Sequence, residues 1–296
     1  MAVLAVGAVL AGSEVAQAAF PGKNGRIAFV REGEERGIWL VRQAGGGELR
    51  LTGAEDYRPM WSPDGTRIVF QRFHGRRSDI HVMEAAGSHV RRLTRRGGYH
   101  PSWSPDGTRI VFGSTRDGDG DIFVMDAHGR DETKLTRNRT EELKPVWSPD
   151  GSAIAFVSRQ EGNVDIYLMA PDGSGLRRLT RHRSSDRDPA WSPDGTRLVF
   201  ASNRRGRNQD LYVIGADRSG LERLTHNSGL DWAPAWSPNG ERIVFTRARY
   251  WLEQQGLVVL DLDDRERVRI AISPASELEP DWQPRHDASA NRTSGS

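Results

Sequence analysis

The chain contains no cysteine among its 296 residues. This absence excludes disulfide bonds, thiolate nucleophiles and zinc sites built from cysteine ligands. A cysteine-free chain is compatible with an oxidising compartment without requiring one. Lysine is also scarce, because only Lys23, Lys134 and Lys144 occur among 42 basic residues and the rest are arginine. The formal net charge of +2 is too small to imply a nucleic-acid partner by itself.

Several motifs of catalytic and nucleotide-binding proteins are missing. The sequence has no Gly-x-Ser-x-Gly elbow, no Gly-x-x-x-x-Gly-Lys loop and no His-Glu-x-x-His motif. Asp117, Asp119 and Asp121 alternate as calcium-binding carboxylates do, but no later glutamate completes the loop. A polar turn before a strand is the simpler interpretation of these aspartates. The sequence therefore predicts a non-enzymatic protein with no cofactor and no metal.

One apolar run occurs, at residues 1–12, and Ala16-Gln17-Ala18 follows it. The run resembles the hydrophobic region of a secretory signal, and the alanines resemble its cleavage site. It is short for a membrane span, and the usual basic residues before it are missing. An alanine-rich tail is the alternative. We expect residues 1–19 to be signal-peptide-like, the protein to be periplasmic or secreted, and no segment to span a membrane.

A repeat of about 44 residues occupies most of the chain. The string Trp-Ser-Pro-Asp/Asn-Gly recurs at intervals of 42 to 45 residues, starting at Trp61, Trp103, Trp147, Trp191 and Trp236. Residues 20–29 form a degenerate copy, and Trp282 begins a truncated one. A fixed period of this length indicates a propeller or another repeat architecture.

Each repeat contains four strand-like segments, here called strands A to D. In one copy they are residues 99–103, 109–113, 121–125 and 134–136, the last being the shortest and most polar. The Ser-Pro-Asp-Gly string favours a type I turn between A and B, because proline presets φ and glycine suits the last position. Four short strands per repeat are typical of a propeller blade.

Counting strands predicts an all-β, six-bladed propeller with four antiparallel strands per blade. The first strand B has no convincing strand A before it, and the strand at residues 278–282 has no strand B after it. We expect this C-terminal strand to complete the first blade, which closes the ring and leaves no long open edge. The predicted domain is residues 20–284, with a disordered tail at residues 285–296.

The repeat resembles the TolB-type propeller repeat. The residues that carry the resemblance are Pro-x-Trp-Ser-Pro-Asp-Gly-Thr-Arg-Ile-Val-Phe, then Asp-Ile-Tyr/Phe-Val-Met and Arg-Leu-Thr, over about residues 20 to 284. The match is specific for the fold and only weakly specific for function. It implies a module that binds a protein or peptide at one end of the propeller.

The two ends of the predicted propeller differ. A–B and C–D turns lie at one end, here the turn end, and B–C and D–A loops lie at the other, here the loop end. The loops are rich in arginine, including Arg76, Arg205 and Arg249. Arginine suits carboxylates and phosphates, so this face could bind an anionic partner. A solvated surface encoded by arginine-rich codons is the alternative. Trp251 near Arg249 fits an interface anchor or packing within the sixth blade.

The start of each strand A should lie at the mouth of the central channel, where residue identity varies between repeats. The candidate ligand-binding residues there are Arg58, His100, Lys144, Asp188 and Trp232. They could equally be unconstrained solvent positions. The predicted function is an exported scaffold, monomeric, that binds a protein or peptide, with an anionic partner allowed and no nucleic acid. The alternatives are a lyase or hydrolase acting on an anionic polysaccharide in the channel, and a glycan binder without turnover.

Overall fold

A computed structural model describes residues 21–206, 208–226, 228–248, 255–270 and 275–286. These residues form 24 strands and one 3-10 turn, Gly33–Glu35. In chain order the strands are β1 (Lys23–Arg31), β2 (Gly37–Val41), β3 (Leu49–Arg50), β4 (Asp56–Trp61), β5 (Arg67–His74), β6 (Arg77–Glu84), β7 (Arg91–Arg92), β8 (Tyr99–Trp103), β9 (Arg109–Ser114), β10 (Asp121–Asp126), β11 (Thr133–Lys134), β12 (Glu142–Trp147), β13 (Ile154–Ser158), β14 (Asp165–Met169), β15 (Arg177–Arg178), β16 (Asp186–Trp191), β17 (Arg197–Ser202), β18 (Asp210–Gly215), β19 (Glu222–Arg223), β20 (Leu230–Trp236), β21 (Arg242–Ala248), β22 (Gln255–Asp261), β23 (Arg267–Arg269) and β24 (Glu277–Arg285). Within these ranges, no helix has the length and apolarity needed to cross a membrane.

The strands form six four-stranded antiparallel sheets, which confirms the six-bladed propeller. Blades 2 to 6 each use four consecutive strands, beginning with β4, β8, β12, β16 and β20. Blade 1 has the order β24-β1-β2-β3, so the last strand completes the first blade as predicted. Its register places Trp282 opposite Ile27 and Leu278 opposite Val30.

The closing strand β24 is longer than the sequence suggested. Pairing continues to Arg285, which lies opposite Lys23, rather than ending at Trp282. Arg285 therefore belongs to the sheet, one residue beyond the predicted domain boundary at 284. The signal-like residues 1–19 and the predicted tail from 287 onward lie outside the described residues.

Each A–B turn is held by the side chains that the repeat supplies. In blade 2 the Ser62 hydroxyl donates to Asp64 and accepts the backbone N–H of Arg67 at 2.9 Å. Gly65 donates its N–H to the Ser62 carbonyl and has φ of +67°, a conformation that favours glycine. Asp106, Asp150 and Asp194 make the same contact with their serines. The turn is therefore encoded locally, in every blade that carries the motif.

Most of the core lies between neighbouring blades. Trp103 of blade 3 packs with Val69 and Ile80 of blade 2. Arginines at the start of strand B stack on the tryptophan of the next blade, with Arg67 4.6 Å from the centre of the Trp103 ring. Arg109 over Trp147 and Arg197 over Trp236 repeat this cation–π contact. Each repeat thus contains the residues that pack its blade against the next one.

The aspartate that begins strand C is a structural residue. In blade 3, Asp121 is buried and lies 2.7 Å from the Lys134 ammonium of strand D. Asp79, Asp165 and Asp210 pair in the same way with an arginine of their own strand D. This repeated ion pair explains Asp121 as a blade contact rather than a calcium ligand. In the ranges described above, no group of three or more histidine and acidic side chains is placed to hold a metal ion.

Candidate functional site

The channel mouth is formed by one residue from each strand A, the one immediately before the Pro-x-Trp motif. These six residues all have positive φ, and they are Arg58, His100, Lys144, Asp188, Ala233 and Glu279. Each lies at a bulge in the pairing between strands A and B. Left-handed backbone costs a non-glycine residue roughly 1–2 kcal/mol. Because all six blades have this backbone conformation, it is a property of the fold. The six side chains, which differ between blades, are what distinguishes the site.

Four of these side chains form an ion-pair network across the mouth, here called the mouth network. Arg58 Nε lies 2.8 Å from Glu279 Oε1, and the Arg58 backbone N–H donates to Glu279 Oε2 at 2.9 Å. Lys144 pairs with Asp188, and Arg58 Nη1 lies 3.8 Å from the same carboxylate. Arg58 of blade 2 thereby reaches toward blade 5, on the opposite side of the ring.

The mouth network controls ionisation at this end of the channel. Burial would raise the pKa of Asp188, but the Lys144 and Arg58 cations outweigh that effect and hold it below the usual range. Burial, reinforced by the same two cations, holds the pKa of His100 well below its ordinary value. His100 is therefore neutral at pH 7, and its Nδ1 has no hydrogen-bond partner within the described ranges.

Below the prolines, the channel narrows to a mostly apolar layer. One residue from each strand A forms it, and these are Met60, Ser102, Val146, Ala190, Ala235 and Asp281. The layer separates a cavity of about 120 Å³ under the mouth from one of about 80 Å³ among the tryptophans. Both cavities are small, so a ligand that entered deeply would have to displace side chains.

Asp281 is the ionisable member of this layer. One of its carboxylate oxygens accepts the backbone N–H of Trp61 at 2.8 Å, which links the closing strand to blade 2. Burial raises the pKa of Asp281 to about 7, although the backbone N–H groups of Trp61 and Trp282 oppose that shift. The channel thus contains a carboxyl group that changes charge near neutral pH.

A groove leads outward from the mouth across blade 2. It has a cavity volume of about 370 Å³ and is lined by Glu55, Tyr57, Arg58, Gln71, Phe73, His100 and Glu279. Tyr57 and Phe73 form an edge-to-face pair with ring centres 5.4 Å apart. Arg58, His100 and Glu279 line both this groove and the mouth cavity, so the two spaces adjoin at these three side chains.

Of the five residues predicted to lie at the channel mouth, four line the mouth cavity and one does not. Arg58, His100, Lys144 and Asp188 line the mouth cavity as expected. Trp232 does not line it, because Ala233 is the residue that directly precedes the proline and so holds the equivalent position. Trp232 is instead partly buried against the core between blades 5 and 6. Arg249 and Trp251 lie outside the described residues.

Three further residues of the site were not chosen as ligand-binding candidates, although Glu279 is one of the variable positions that the sequence places at the channel mouth. Ala233, Glu279 and Asp281 all line the mouth cavity. The signal for the first two was available, since every mouth residue directly precedes the proline of the Pro-x-Trp motif. Asp281 could have been found by comparing the residue between that proline and tryptophan, which is uncharged in the other five repeats.

The arginines of the loop end fall into two groups. Arg72 forms a two-pronged ion pair with buried Asp56, at 2.6 and 2.8 Å, and Arg247 binds Asp231 in the same way. These arginines fasten strand B to strand A and are structural. Arg76 and Arg205, both predicted ligand residues, are exposed and make no ion pair within the part of the chain described.

Comparisons with known proteins agree with this architecture. TolB from Acinetobacter baumannii matches with a TM-score of 0.80 and 25% identity, over 88% of this chain and 67% of that one. A putative TolB from Agrobacterium tumefaciens matches with a TM-score of 0.67 and 21% identity, over 89% of this chain and 100% of that one. An oligogalacturonate lyase from Vibrio parahaemolyticus shares the fold, with a TM-score of 0.58 and 16% identity over 86% and 76%.

No significant relative was found among curated proteins. The family model described as the TolB beta propeller domain matches residues 98–188, 141–229 and 181–291 in overlapping copies. These matches extend over more than half of the chain, in register with the repeat that the structure shows as blades. The chain belongs to the TolB beta propeller domain family.

Proposed function

We propose that the protein is a non-enzymatic scaffold, periplasmic or secreted, that binds a protein or peptide at its loop end and channel mouth. The observation that carries the proposal is that the mouth cavity and the blade 2 groove adjoin, since Arg58, His100 and Glu279 line both. Together they form one concave path with charged groups at its centre and an aromatic pair on its wall. Such a path suits an extended peptide segment.

The chemistry of the path supports binding rather than turnover. Its charged groups are engaged with one another, Arg58 with Glu279 and Lys144 with Asp188. Arg58 is the most exposed of these four groups, so its pair with Glu279 is the one that a ligand could replace most readily, whereas Asp188 is buried and its ion pairs are costly to break. Tyr57 and Phe73 offer apolar area for a ligand side chain, and the likeness to TolB from Acinetobacter baumannii supports the same class of function.

A polysaccharide lyase is the alternative, and one observation favours it. His100 is neutral and has an unpartnered Nδ1, and it lies in the mouth beside two cations. A neutral imidazole could accept a proton from the sugar while Arg58 and Lys144 bind its carboxylate, although burial and the same two cations weaken His100 as a base. Turnover of polygalacturonate by the purified protein, abolished by His100→Ala, would replace the binding proposal with this one.

The binding proposal is tested by filling the mouth. In Ala233→Trp, an indole occupies the cavity at the one mouth position without a long side chain. The fold should tolerate it, because Arg58, His100 and Lys144 already hold larger side chains at the same left-handed backbone. We expect retention of the partner from envelope extracts, measured by affinity capture with mass spectrometry, to fall by about tenfold or more.

The matched control is Val268→Trp on the outer strand β23, a position that is 45% exposed and far from the mouth. It should capture the same proteins as the wild type. A photo-crosslinking amino acid at position 233 should also form adducts with the captured protein, and one at position 268 should not. Equal capture by both tryptophan variants would refute the assigned site.

A further inference from the structure

Three consecutive D–A loops each begin with a pair of exposed arginines. The loops follow strand D of blades 2, 3 and 4, so the pairs lie side by side around one sector of the loop end. The six residues, here called the arginine arc, are Arg95, Arg96, Arg137, Arg139, Arg181 and Arg183. Because a D–A loop starts at the outermost strand, the arc lies toward the rim and away from the channel mouth.

The arc differs from the structural arginines of the same end. Arg72 and Arg247 are held by buried aspartates of strand A in two-pronged ion pairs. Within the described ranges, the only ion pair of the arc joins Arg96 to Asp117, at 3.9 Å with the arginine side chain 71% exposed. The contacts that stabilise the blades therefore do not explain why these arginines are present.

General arginine richness does not account for the arc either. The equivalent loop of blade 1 contains Glu55 and no arginine, and that of blade 5 begins with His226. The B–C loops contain arginine on every blade, and in blade 1 Arg36 of that loop pairs with Glu55 at 2.8 Å. A bias of codon usage alone would place arginine in the D–A loops of all blades as well. The D–A loops instead carry arginine pairs on blades 2 to 4 and no arginine on the other three blades.

We propose that the arginine arc binds an acidic segment of the protein partner along the rim of the loop end. Each guanidinium offers a planar fork of donors that matches a carboxylate, and exposed arginines are ready to make such pairs. This inference rests on the proposed function and adds the partner's chemistry.

The surroundings of the arc favour a polypeptide over a phosphate polymer. Exposed Asp119, Glu141 and Glu161 lie in the loops between the arginine pairs. A nucleic acid, with a charge about every 1.7 Å of duplex, would place phosphates against these acids. The loops of the arc also contain no phenylalanine, tyrosine or tryptophan on which bases could stack. Glutamate side chains are flexible and can turn toward the arginines and away from these acids, which phosphates fixed in a duplex cannot do.

The test uses a fluorescently labelled peptide of ten glutamates, titrated at low ionic strength and followed by anisotropy. Binding should weaken as salt is added, and the double variant Arg137→Glu, Arg181→Glu should lower affinity by about tenfold or more. The matched control is Arg42→Glu, Arg130→Glu, which changes the net charge equally in exposed C–D turns at the opposite end. It should change affinity less than about twofold.

Two further arms separate this inference from the proposed function. Ala233→Trp should leave decaglutamate binding unchanged, because the arc lies outside the mouth, even though it blocks capture of the whole partner. Equal loss of affinity in both double variants, or loss in Ala233→Trp, would overturn the arc as the site. Tighter binding of a ten-nucleotide single strand or of polygalacturonate than of decaglutamate would overturn the acidic-peptide assignment while leaving the mouth test intact.

Discussion

Replacing Trp282 with alanine is expected to lower the free energy of unfolding by about 3–5 kcal/mol, the range for large aromatic side chains in a core. Trp282 is 3% exposed and lies on the closing strand β24. Its neighbours belong to both sides of the ring seam, with Ile27 and Phe29 in blade 1 and Val244 in blade 6. Truncation therefore leaves a cavity at the point where the ring closes. The loss is measured by urea unfolding followed by far-ultraviolet circular dichroism, which reports on the backbone rather than on tryptophan fluorescence.

The control for this variant is Leu49→Ala on β3, the outer strand of the same blade. Leu49 is 47% exposed, so its truncation should change stability by no more than about 0.5 kcal/mol. A Trp282→Ala protein as stable as the control would mean that the seam is held by backbone pairing alone, contrary to the packing described here.

Replacing Asp281 with asparagine is expected to remove a pH-dependent loss of stability. The pKa of Asp281 is raised to about 7 in the folded protein, above the value of an unfolded aspartate. The folded state therefore binds more protons, and wild-type stability falls as pH rises from about 4 to 7. Asparagine keeps an oxygen that can accept the Trp61 N–H but carries no charge at any pH.

The measurement compares the free energies of unfolding of both proteins at pH 5 and pH 8. From pH 5 to pH 8, the free energy of unfolding of Asp281→Asn relative to that of the wild type should increase by on the order of 2 kcal/mol. This figure allows for solvent screening, because part of the carboxyl faces the channel. Arg58, His100, Lys144, Asp188 and Glu279 line the same cavity in both proteins. An unchanged difference between the two pH values would show that Asp281 ionises normally.

The fold could be predicted almost completely because its determinants are local and repeated. Ser62, Asp64 and Gly65 build a turn from contacts within six residues, and the same string recurs along the chain. The pairing of the closing strand could be predicted by counting strands, because the first strand B and the last strand A each lacked a partner and could pair with one another. Its extension to Arg285 was missed because Gln283 and Pro284 lack a strand-like pattern.

The site was less predictable because it depends on geometry that the period does not encode. Every strand A has the same bulge, and the mouth residue directly precedes the proline, so Trp232, two residues before Pro234, was chosen one position too early in place of Ala233. Partnering between blades is also invisible in the sequence. Nothing in the spacing of Arg58 and Asp188 indicates that they meet across the mouth, or that Arg72 is tied to Asp56 while Arg76 is not.

The closure of blade 1 by β24 has a consequence for how the protein is made. Strand β1 emerges first during synthesis, yet contacts such as that from the Arg26 N–H to the Gln283 side chain join residues 257 positions apart. Blade 1 therefore cannot be completed until almost the whole chain has been released, and contacts of such separation form slowly. Until then β1 presents an unpaired edge to other chains. Closure of the ring is therefore among the last steps of folding, because blades 2 to 6 each use four consecutive strands and only blade 1 needs β24.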